Sequence, residues 1–434
     1  MINYSDEIRR GDLESFSHRF DEARDRLGEA GVKAFEKLFD FYGKDWIDWL
    51  ASLYDPERGA FYYADSARDN EGFLPDAEST AQALNIILFS GMLNFASGSY
   101  KAAYPDEMRE RLTEFIRGMQ SPEDGYFYHE QWGRRIGSSR RGRDYSQCLE
   151  LLRKFGSAPL YPTAEERLKE ISESEVKARE SVMPKHLLSR EAMLEYLDGL
   201  NVNKSSHSAG HILSSQGQEI KAAGLSELVL DYVGKRQNTE TGLWEEEANY
   251  SSMSGVIKIS ALYSRLGEKI KHGERIVKSA IDVILSDIDP TVVIYVFNPW
   301  GALGTARSSA KAGYESAIAE GRKPDFDLAL IDRMIRDAFP AMIDKTIEKL
   351  KKFRKPDGSF SYEQKRSSPT TQGVPVSLGE YEGDVNGLAC AMHYTLGAIF
   401  GAVGISRIPF ATGEDFMRFI GQMELRKQNT ESNK

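Results

Sequence analysis

Residues 55–61 read Asp55-Pro56-Glu57-Arg58-Gly59-Ala60-Phe61, which is a polar turn, a glycine, one further residue and an aromatic. The phrase returns as Pro122-Glu123-Asp124-Gly125-Tyr126-Phe127, Thr239-Glu240-Thr241-Gly242-Leu243-Trp244 and Pro356-Asp357-Gly358-Ser359-Phe360. The four glycines are separated by 66, 117 and 116 residues. Because the two long gaps are about twice 58, a period of about 60 residues predicts six units, with degenerate copies near residues 184 and 300.

Each phrase separates two segments that have the hydrophobic pattern of α-helices. The segment before it is amphipathic, with Trp46, Ile47 and Leu50 at helical spacing in the first copy. The segment after it is rich in small residues and poor in charge, which is typical of a helix buried on most sides. We therefore predict an all-α fold, an α/α toroid of about six helical hairpins that close into a double ring. The second helices lie inside, and the loops before them gather at one mouth.

The two weak copies and the chain ends complete the predicted organisation. Near residue 184, Met183-Pro184-Lys185 is expected to replace the turn, and the inner helix is expected to contain residues 207–213. Near residue 300, Asn298-Pro299-Trp300-Gly301 is expected to be the turn. The predicted domains are a helical lead-in at residues 1–40, one toroid at residues 41–424 and a polar tail at residues 425–434.

The composition argues against several classes of protein. The 434-residue chain has a net charge of −10 and a pI of about 5.4, which disfavour nucleic acid or an anionic membrane as the main partner. No apolar run approaches the roughly 20 residues of a membrane span, and the N-terminus lacks the pattern of a secretory signal. Cys148 and Cys390 are expected to be free thiols in a cytoplasmic protein. No phosphate-binding glycine loop occurs, and we expect no cofactor.

Two of the phrases carry a glutamine before the glycine and the aromatic: Gln120 precedes Gly125, and Gln237 precedes Gly242. With the period, this resembles the repeats of the terpenoid cyclase and protein prenyltransferase superfamily of α/α toroids, over roughly residues 40–405. The glutamine lies one residue further from the glycine than in the usual triterpene-cyclase form, and the first and fourth phrases lack it.

Two local segments add to the resemblance. Pro75-Asp76-Ala77-Glu78-Ser79-Thr80-Ala81 looks like the Pro-Asp-x-Asp-Asp-Thr-Ala segment of squalene–hopene-type cyclases, in which the middle acid protonates an alkene. The resemblance places Glu78 at that acid and Ser79 at the family's next aspartate. The segment Asp384-Val385-Asn386-Gly387-Leu388-Ala389-Cys390-Ala391 is similar to one in prenyltransferase β subunits, with Asn386 in place of an arginine. The zinc ligands of that family have no counterpart, and no metal is expected.

Acidic and basic residues are predicted to meet at the mouth. Glu78, helped by Asp76, is a candidate proton donor, whereas the alternative is that both acids favour the start of an inner helix. Asp384 occupies the equivalent place in another unit. Five arginines fall within ten residues, and Arg68 lies in the corresponding loop of the first unit; such a cluster suits capture of carboxylate or phosphate, or forms a solvated basic loop. They are Arg134, Arg135, Arg140, Arg141 and Arg143.

Further candidates come from other units. His207 and His211 share a helix face at i, i+4 spacing, where they can serve as a base, as sugar contacts, as metal ligands or as packing residues. Asn203, His207 and Tyr250 match, in residue type, the asparagine, histidine and tyrosine sets of toroid polysaccharide lyases. The aromatics after the glycines are expected to wedge hairpins together, whereas Trp132, Tyr250 and Trp300 break the repeat and are pocket candidates. Six more carboxylates are expected near the mouth, where they can pair for glycoside hydrolysis or simply form a solvated acidic rim. They are Glu245, Glu246, Glu247, Glu363, Glu380 and Glu382.

Three functions follow from these candidates. The resemblance implies a cyclase-like or prenyltransferase-like enzyme that acts on an isoprenoid or similar apolar substrate by acid-initiated chemistry. The alternative is a cytoplasmic carbohydrate-active enzyme, a lyase or hydrolase of an acidic oligosaccharide. The third is a non-catalytic toroid that binds a protein. A cyclase needs a deep apolar cavity, whereas a glycan enzyme needs a polar cleft with exposed aromatic side chains.

Overall fold

The computed structural model describes residues 4–169 and 184–432, and α-helices dominate them. Short 3₁₀ turns occur at Asn94–Ala96 and Lys185–Leu187, and a π-helical turn at Cys390–Tyr394. Two small antiparallel ladders pair β1 (Tyr54–Asp55) with β2 (Ala60–Phe61) and β3 (Thr370–Thr371) with β4 (Val374–Pro375). The helices are α1 (Tyr4–Ser17), α2 (Asp21–Tyr42), α3 (Asp45–Ser52), α4 (Asp65–Arg68), α5 (Ala77–Ser90), α6 (Tyr100–Ala103), α7 (Asp106–Gly118), α8 (Ser138–Lys154), α9 (Ala164–Lys169), α10 (Arg190–Leu200), α11 (Ser206–Ser215), α12 (Gly217–Ala222), α13 (Ser226–Gly234), α14 (Tyr250–Leu266), α15 (Gly273–Leu285), α16 (Ile294–Ala319), α17 (Leu328–Leu350), α18 (Val385–Ala389), α19 (Thr395–Val403) and α20 (Gly413–Ser432).

These helices form two concentric layers, as the sequence predicts. The inner layer consists of α5, α8, α11, α14, α16 and the α18–α19 pair, and each is preceded in the chain by an outer helix or helix pair. Inner neighbours pack from α11 through α14 and α16 to α19, while α18 packs against α5 and α5 against α8. In the outer layer α17 packs against α2, where the rings of Phe35 and Phe339 lie 5.0 Å apart. The prediction of an all-α toroid is confirmed.

The glycine of each phrase is required by both conformation and contact. Gly59 and Gly358 have φ values of 72° and 82°, in the left-handed region that side chains disfavour. A Cβ at Gly59 would lie 2.8 Å from the backbone nitrogen of Leu112 in α7, and one at Gly358 would lie 2.8 Å from that of Trp46 in α3. Each turn therefore rests on the chain of the following unit, and the last turn rests on the first unit.

The weak copies differ from the prediction. Asn298-Pro299-Trp300-Gly301 is not a turn, because α16 begins at Ile294 and runs through it. Trp300 is fully buried and its Nε1 donates to Thr346 Oγ1 on α17 at 3.0 Å, so outer-layer packing holds the segment as helix. The connection into α16 is instead residues 286–293.

The third unit has its inner helix where the sequence places it, since α11 contains residues 207–213. The turn before it lies at residues 201–205, where Asn201 adopts a φ of 48°, and not at residues 184–185, which precede α10. Met183 lies outside the described residues.

The chain ends are helical where the structure describes them. The predicted lead-in holds α1 and most of α2, and α20 extends into the predicted tail as far as Ser432. The two ends meet, because the backbone N–H of Gly413 donates to the Asp12 carboxylate at 2.8 Å. No helix in the described ranges is long and apolar enough to cross a membrane.

Candidate active site

The loops that lead into the inner helices meet at one end of the double ring, which we call the mouth. Ala64 and Asp384 form a β-bridge across it, joining the first and sixth units. Trp132 of the second unit donates from Nε1 to the Pro375 carbonyl of the sixth at 3.1 Å. Three units therefore converge where the sequence places most of its candidate residues.

Asp76 is the N-cap of α5. Its Oδ1 accepts from the backbone N–H groups of Glu78 and Ser79 at 2.9 and 3.1 Å, and Ser79 Oγ donates to Oδ2 at 2.6 Å. This is the helix-capping role that the sequence analysis set beside catalysis. Arg140 Nη2 adds a contact to Oδ1 at 3.1 Å, so both carboxylate oxygens are engaged.

Arg140 is the centre of a buried charge cluster, and its side chain is 0% exposed. Its donors reach Asp76, Glu78 and Asp144, with Nη1 at 2.9 Å from Glu78 Oε2 and Nη2 at 2.8 Å from Asp144 Oδ1. Its Cζ lies 4.3 Å from the Trp132 ring centroid. Burial raises the pKa of Asp144 to about 6, although the charge of Arg140 opposes that shift. The guanidinium is therefore committed to the protein's own carboxylates.

Glu78 lies between two guanidinium groups. Its side chain is 5% exposed, and its second oxygen, Oε1, contacts Arg143 Nη1. Hydrogen bonds from guanidinium groups stabilise the ionised form of a carboxylate. Arg143 differs from Arg140 because its side chain is 42% exposed, which leaves its other guanidinium N–H groups accessible.

Asp384 is a fully buried carboxyl at the N-terminus of α18. It accepts from the backbone N–H groups of Gly387 at 2.6 Å, Tyr362 at 2.7 Å and Ser368 at 3.3 Å. Burial raises the pKa of Asp384 to about 6 despite these hydrogen bonds. Burial, followed by the charge of Asp384, raises the pKa of Tyr63 well above its ordinary value, so that phenol stays protonated beside the carboxyl.

The space inside the inner ring, the lumen, is lined by amides as well as aromatics. Gln82, one helical turn after Glu78, is 3% exposed and donates from Nε2 to Asn386 Oδ1 at 3.0 Å. Its Oε1, and Oε1 of Gln147 one turn after Arg143, are buried without a hydrogen-bond partner among the described residues. Tyr394, on the π-helical turn that packs against α5, is 39% exposed and forms part of the wall.

Aromatic rings continue this wall. The Tyr394 ring lies 5.7 Å from Phe297 and 4.8 Å from His393. Burial lowers the pKa of His393 to about 4, so this imidazole is neutral at pH 7, and its Nδ1 is another buried atom without a partner in the described chain. The lumen therefore combines aromatic faces with hydrogen-bond acceptors that have no protein donor.

A hairpin formed by β3 and β4 covers one side of the mouth. Thr371 accepts from Arg140 Nη1 at 2.9 Å, and Val374 packs with Val376 against Tyr63 and Trp132. The sequence reasoning missed this hairpin because nothing in the repeat announces it. It also missed Gln82 and Gln147, and the signal for these two glutamines was their i+4 spacing from Glu78 and Arg143.

The remaining predicted arginines lie away from the lumen. Arg68 donates to Asp65 at 2.6 Å and to Ser52 at 2.9 Å, on the outer side of the first unit. Arg134 contacts Glu123 and stacks over Tyr128 at 5.2 Å. Arg135 is exposed. The prediction that these arginines form a loop is wrong for Arg140 and Arg143, because α8 begins at Ser138 and includes them. Arg140 is buried, Arg143 is half-exposed at the lumen, and the others are peripheral.

The candidates of the third to fifth units lie on other inner helices. His207 is exposed on α11, its ring 6.5 Å from that of His211, and partial burial, followed by the charge of Lys258, lowers its pKa. Tyr250 is mostly buried and its hydroxyl donates to the Ile288 carbonyl at 2.7 Å. Trp300 packs in the outer interface described above. In the described residues, no group of histidine, cysteine and acidic side chains has the arrangement of a metal site.

Comparison with known proteins adds little beyond architecture. No protein-family model matches the sequence, and no curated protein matches it. Among solved structures, the glycoside hydrolase family 15 glucoamylase from Hypocrea jecorina is similar with a TM-score of 0.38 and 11% sequence identity. The match covers 88% of this chain and 74% of the glucoamylase chain.

Proposed function

We propose that this protein is a carbohydrate-active enzyme, a hydrolase or lyase that binds an acidic oligosaccharide in the lumen behind the mouth. The observation that carries the proposal is the pair of unpartnered amide oxygens, Gln82 Oε1 and Gln147 Oε1, beside the accessible Arg143. Buried acceptors without donors are costly, and sugar hydroxyls are donors that would satisfy them. The exposed ring of Tyr394 offers an apolar face on which a sugar ring can stack.

Arg143 supports the acidic part of this substrate. A guanidinium has five N–H donors in a planar fork. Arg143 uses Nη1 on Glu78, so most of its fork is open to a uronic carboxylate. The pairing with Glu78 fixes the orientation of the fork before a ligand arrives, which lowers the entropy lost on binding.

Asp384 is the proposed proton-transfer group, and Tyr63 is a proposed hydrogen-bond donor beside it. An acid or base is most effective when its pKa lies near the working pH, and the pKa of Asp384 is raised to about 6. Tyr63 remains a protonated phenol, which can donate a hydrogen bond to a substrate oxygen. Both side chains lie beneath the mouth, Asp384 at 0% and Tyr63 at 3% exposure, so substrate access requires the β3–β4 hairpin to shift.

The cyclase-like hypothesis depends on Glu78 as a proton donor. Two guanidinium groups contact that carboxylate, one at each oxygen, so neither oxygen is left to deliver a proton to an alkene. The polar lumen likewise suits a hydroxylated ligand better than a polyprene. A non-catalytic protein-binding toroid would need neither the open acceptors nor the accessible arginine.

Ligand-dependent melting tests these functions against each other. The purified protein is melted alone, with neutral or uronic oligosaccharides, and with prenyl diphosphates. A ligand at about 100 times its Kd stabilises by about 2.7 kcal/mol, which is about 3 °C for a chain of this length. We expect a shift with uronic oligosaccharides that Arg143→Met removes and that the exposed Arg135→Met control retains. A shift with isoprenoids alone would favour the cyclase-like function, and no shift with either pool would favour the binding module.

Activity on the responding oligosaccharide separates the two reaction types. New reducing ends with an ultraviolet-absorbing unsaturated product indicate a lyase, whereas new reducing ends without it indicate a hydrolase. Asp384→Asn should lower turnover of either kind more than binding, because it removes the titrating group and keeps the shape. Unchanged turnover in Asp384→Asn would contradict its proposed role.

A further inference from the structure

A second cavity opens at the end of the inner ring opposite the mouth, and we call it the far-end cavity. Its volume is about 500 Å³, within the range of small-molecule sites, and the inner helices α14, α16 and α19 form its walls. Ser260 lies ten residues after the first residue of α14, which places this level about 15 Å along the helix from the mouth. The cavity is therefore separate from the Glu78–Arg143 pair.

Glycine residues create the space. Gly301 and Gly401 line the far-end cavity, on α16 and α19. A Cβ added at Gly401 would meet no atom within 4 Å, and one at Gly301 would approach only the Ile257 side chain, at 3.2 Å. The volume is thus open space between the helices rather than a gap that neighbouring side chains fill.

The polar groups that face this space are hydroxyls without protein partners. Serine and threonine in helices commonly bond back to a carbonyl one turn earlier, as Ser254 does to Tyr250 and Thr346 does to Met342, both at 2.8 Å. Across the described residues, none of the cavity hydroxyls makes a hydrogen bond of this or any other kind. They belong to Ser260, Ser264, Thr305, Ser308 and Ser309. Ser309 is only 6% exposed, and it lines both this cavity and an adjoining one.

Lys269 is the charged group of the far-end cavity, whose lining contains no carboxylate. Within the described ranges Lys269 forms no ion pair. Lys269 is exposed, so its ammonium is accessible from solvent; together with the hydroxyls that line the same cavity it forms a donor set suited to an oxyanion.

The helix ends nearby do not cancel this preference. The C-terminal carbonyls of α14 and α19 would repel an anion if they were free. They are capped by their own chain: Glu268 N–H donates to the Tyr263 carbonyl at 2.8 Å, and Gly404 N–H to the Phe400 carbonyl at 2.8 Å. The carbonyl charge is therefore partly compensated. Lys269 is the charged side chain of the cavity lining, and it also lines an adjoining cavity that contains Glu268 and Glu274.

We propose that the far-end cavity binds a small anionic ligand, a carboxylate or a phosphate ester, through Lys269 and the five hydroxyls. This site does not depend on the proposed glycan chemistry at the mouth. Its position on the inner helices that also form the lumen wall makes it a second ligand site on the same framework.

Titration with inorganic phosphate and with citrate, at constant ionic strength set by chloride, tests the proposal. Calorimetry and melting of the full chain should show saturable binding of at least one anion, and the responding anion distinguishes a phosphate from a carboxylate ligand. Lys269→Met should weaken that binding at least tenfold. Gly401→Leu should do the same by filling the space, since a Cβ there meets no atom within 4 Å, and its melting temperature without anion checks that the variant folds.

Lys271→Met is the matched control. Lys271 belongs to the same loop but does not line the far-end cavity, so its removal should leave anion binding within a factor of two. Absence of saturable binding by both anions would overturn the proposal. Equal losses in Lys269→Met and Lys271→Met would also overturn it, because they would indicate general screening of a basic loop.

Discussion

Replacing Arg140 by methionine should destabilise the protein strongly without touching the accessible part of the site. The substitution keeps an apolar chain of similar length but removes the guanidinium from a cluster in which Arg140 is 0% exposed. The Asp76, Glu78 and Asp144 side chains, at most 5% exposed, would lose their shared counter-charge. Breaking a buried ion pair from one side costs about 3–5 kcal/mol.

The expected change in melting temperature follows from the size of the chain. An unfolding entropy of about 2.1 cal/mol/K per residue over 434 residues gives about 0.9 kcal/mol/K. A loss of 3–5 kcal/mol therefore lowers Tm by about 3–5 °C. The deficit should be larger at pH 8 than at pH 5, because the carboxylates left behind are ionised at the higher pH and can take up protons at the lower one.

Differential scanning calorimetry of Arg140→Met and Arg143→Met at pH 5 and pH 8 measures these changes in melting temperature. Arg143 contacts the same Glu78, but its side chain is 42% exposed, and its loss should cost about 1 kcal/mol or less. Equal melting temperatures for the two variants, or a deficit in Arg140→Met that does not change with pH, would refute the assignment of Arg140 as the buried counter-ion.

Three further predictions concern the fold and the buried carboxyl. Gly125→Ala should lower Tm much more than Gly133→Ala does. Both glycines have positive φ, but a Cβ at Gly125 would lie 2.4 Å from a carbonyl oxygen of the next unit, whereas a Cβ at Gly133 would meet no atom within 4 Å. Similar melting temperatures for the two variants would contradict the role of the repeat glycine. The folded pKa of Asp384 lies above its unfolded value, so its stabilising contribution is complete below pH 4 and is lost as pH rises through about 6. In urea unfolding, the free energy of unfolding of Asp384→Asn relative to the parent should therefore rise by up to about 3 kcal/mol between pH 4 and 7. A difference in unfolding free energy that does not change with pH would exclude this titration. Trp300→Phe should cost about 1–2 kcal/mol by removing the hydrogen bond to Thr346, with oligosaccharide binding unchanged; weakened binding would place Trp300 in the site after all.

The architecture was predictable because its determinants are local and repeated. A glycine that must adopt positive φ and touch the next unit leaves a mark in the sequence, and capping residues such as Asp76 mark where an inner helix begins. The fifth turn was placed incorrectly because Pro299 and Trp300 look like a turn in isolation, whereas burial of Trp300 against α17 decides that they are helical.

The site was less predictable because its contacts are distant in sequence. Arg140 and Arg143 lie three residues apart near the start of α8. Which of them is the buried counter-ion and which is the accessible ligand group depends on carboxylates about 60 residues earlier and on a hairpin more than 200 residues later. Periodicity indicates which loops share a mouth but not which side chain of a loop is covered. The unpartnered oxygens of Gln82 and Gln147 likewise emerge only when the helices are assembled.

Closure of the ring also constrains how the chain is made. The turn at Gly358 rests on Asp45 and Trp46, and Phe35 packs on Phe339, so the first unit cannot bury its open side until residues beyond 350 have left the ribosome. In an open repeat array a missing end removes one unit and leaves the rest stacked. Here a chain truncated before Leu328 would leave two facing apolar surfaces uncovered, so premature termination should yield aggregation rather than a shorter functional protein.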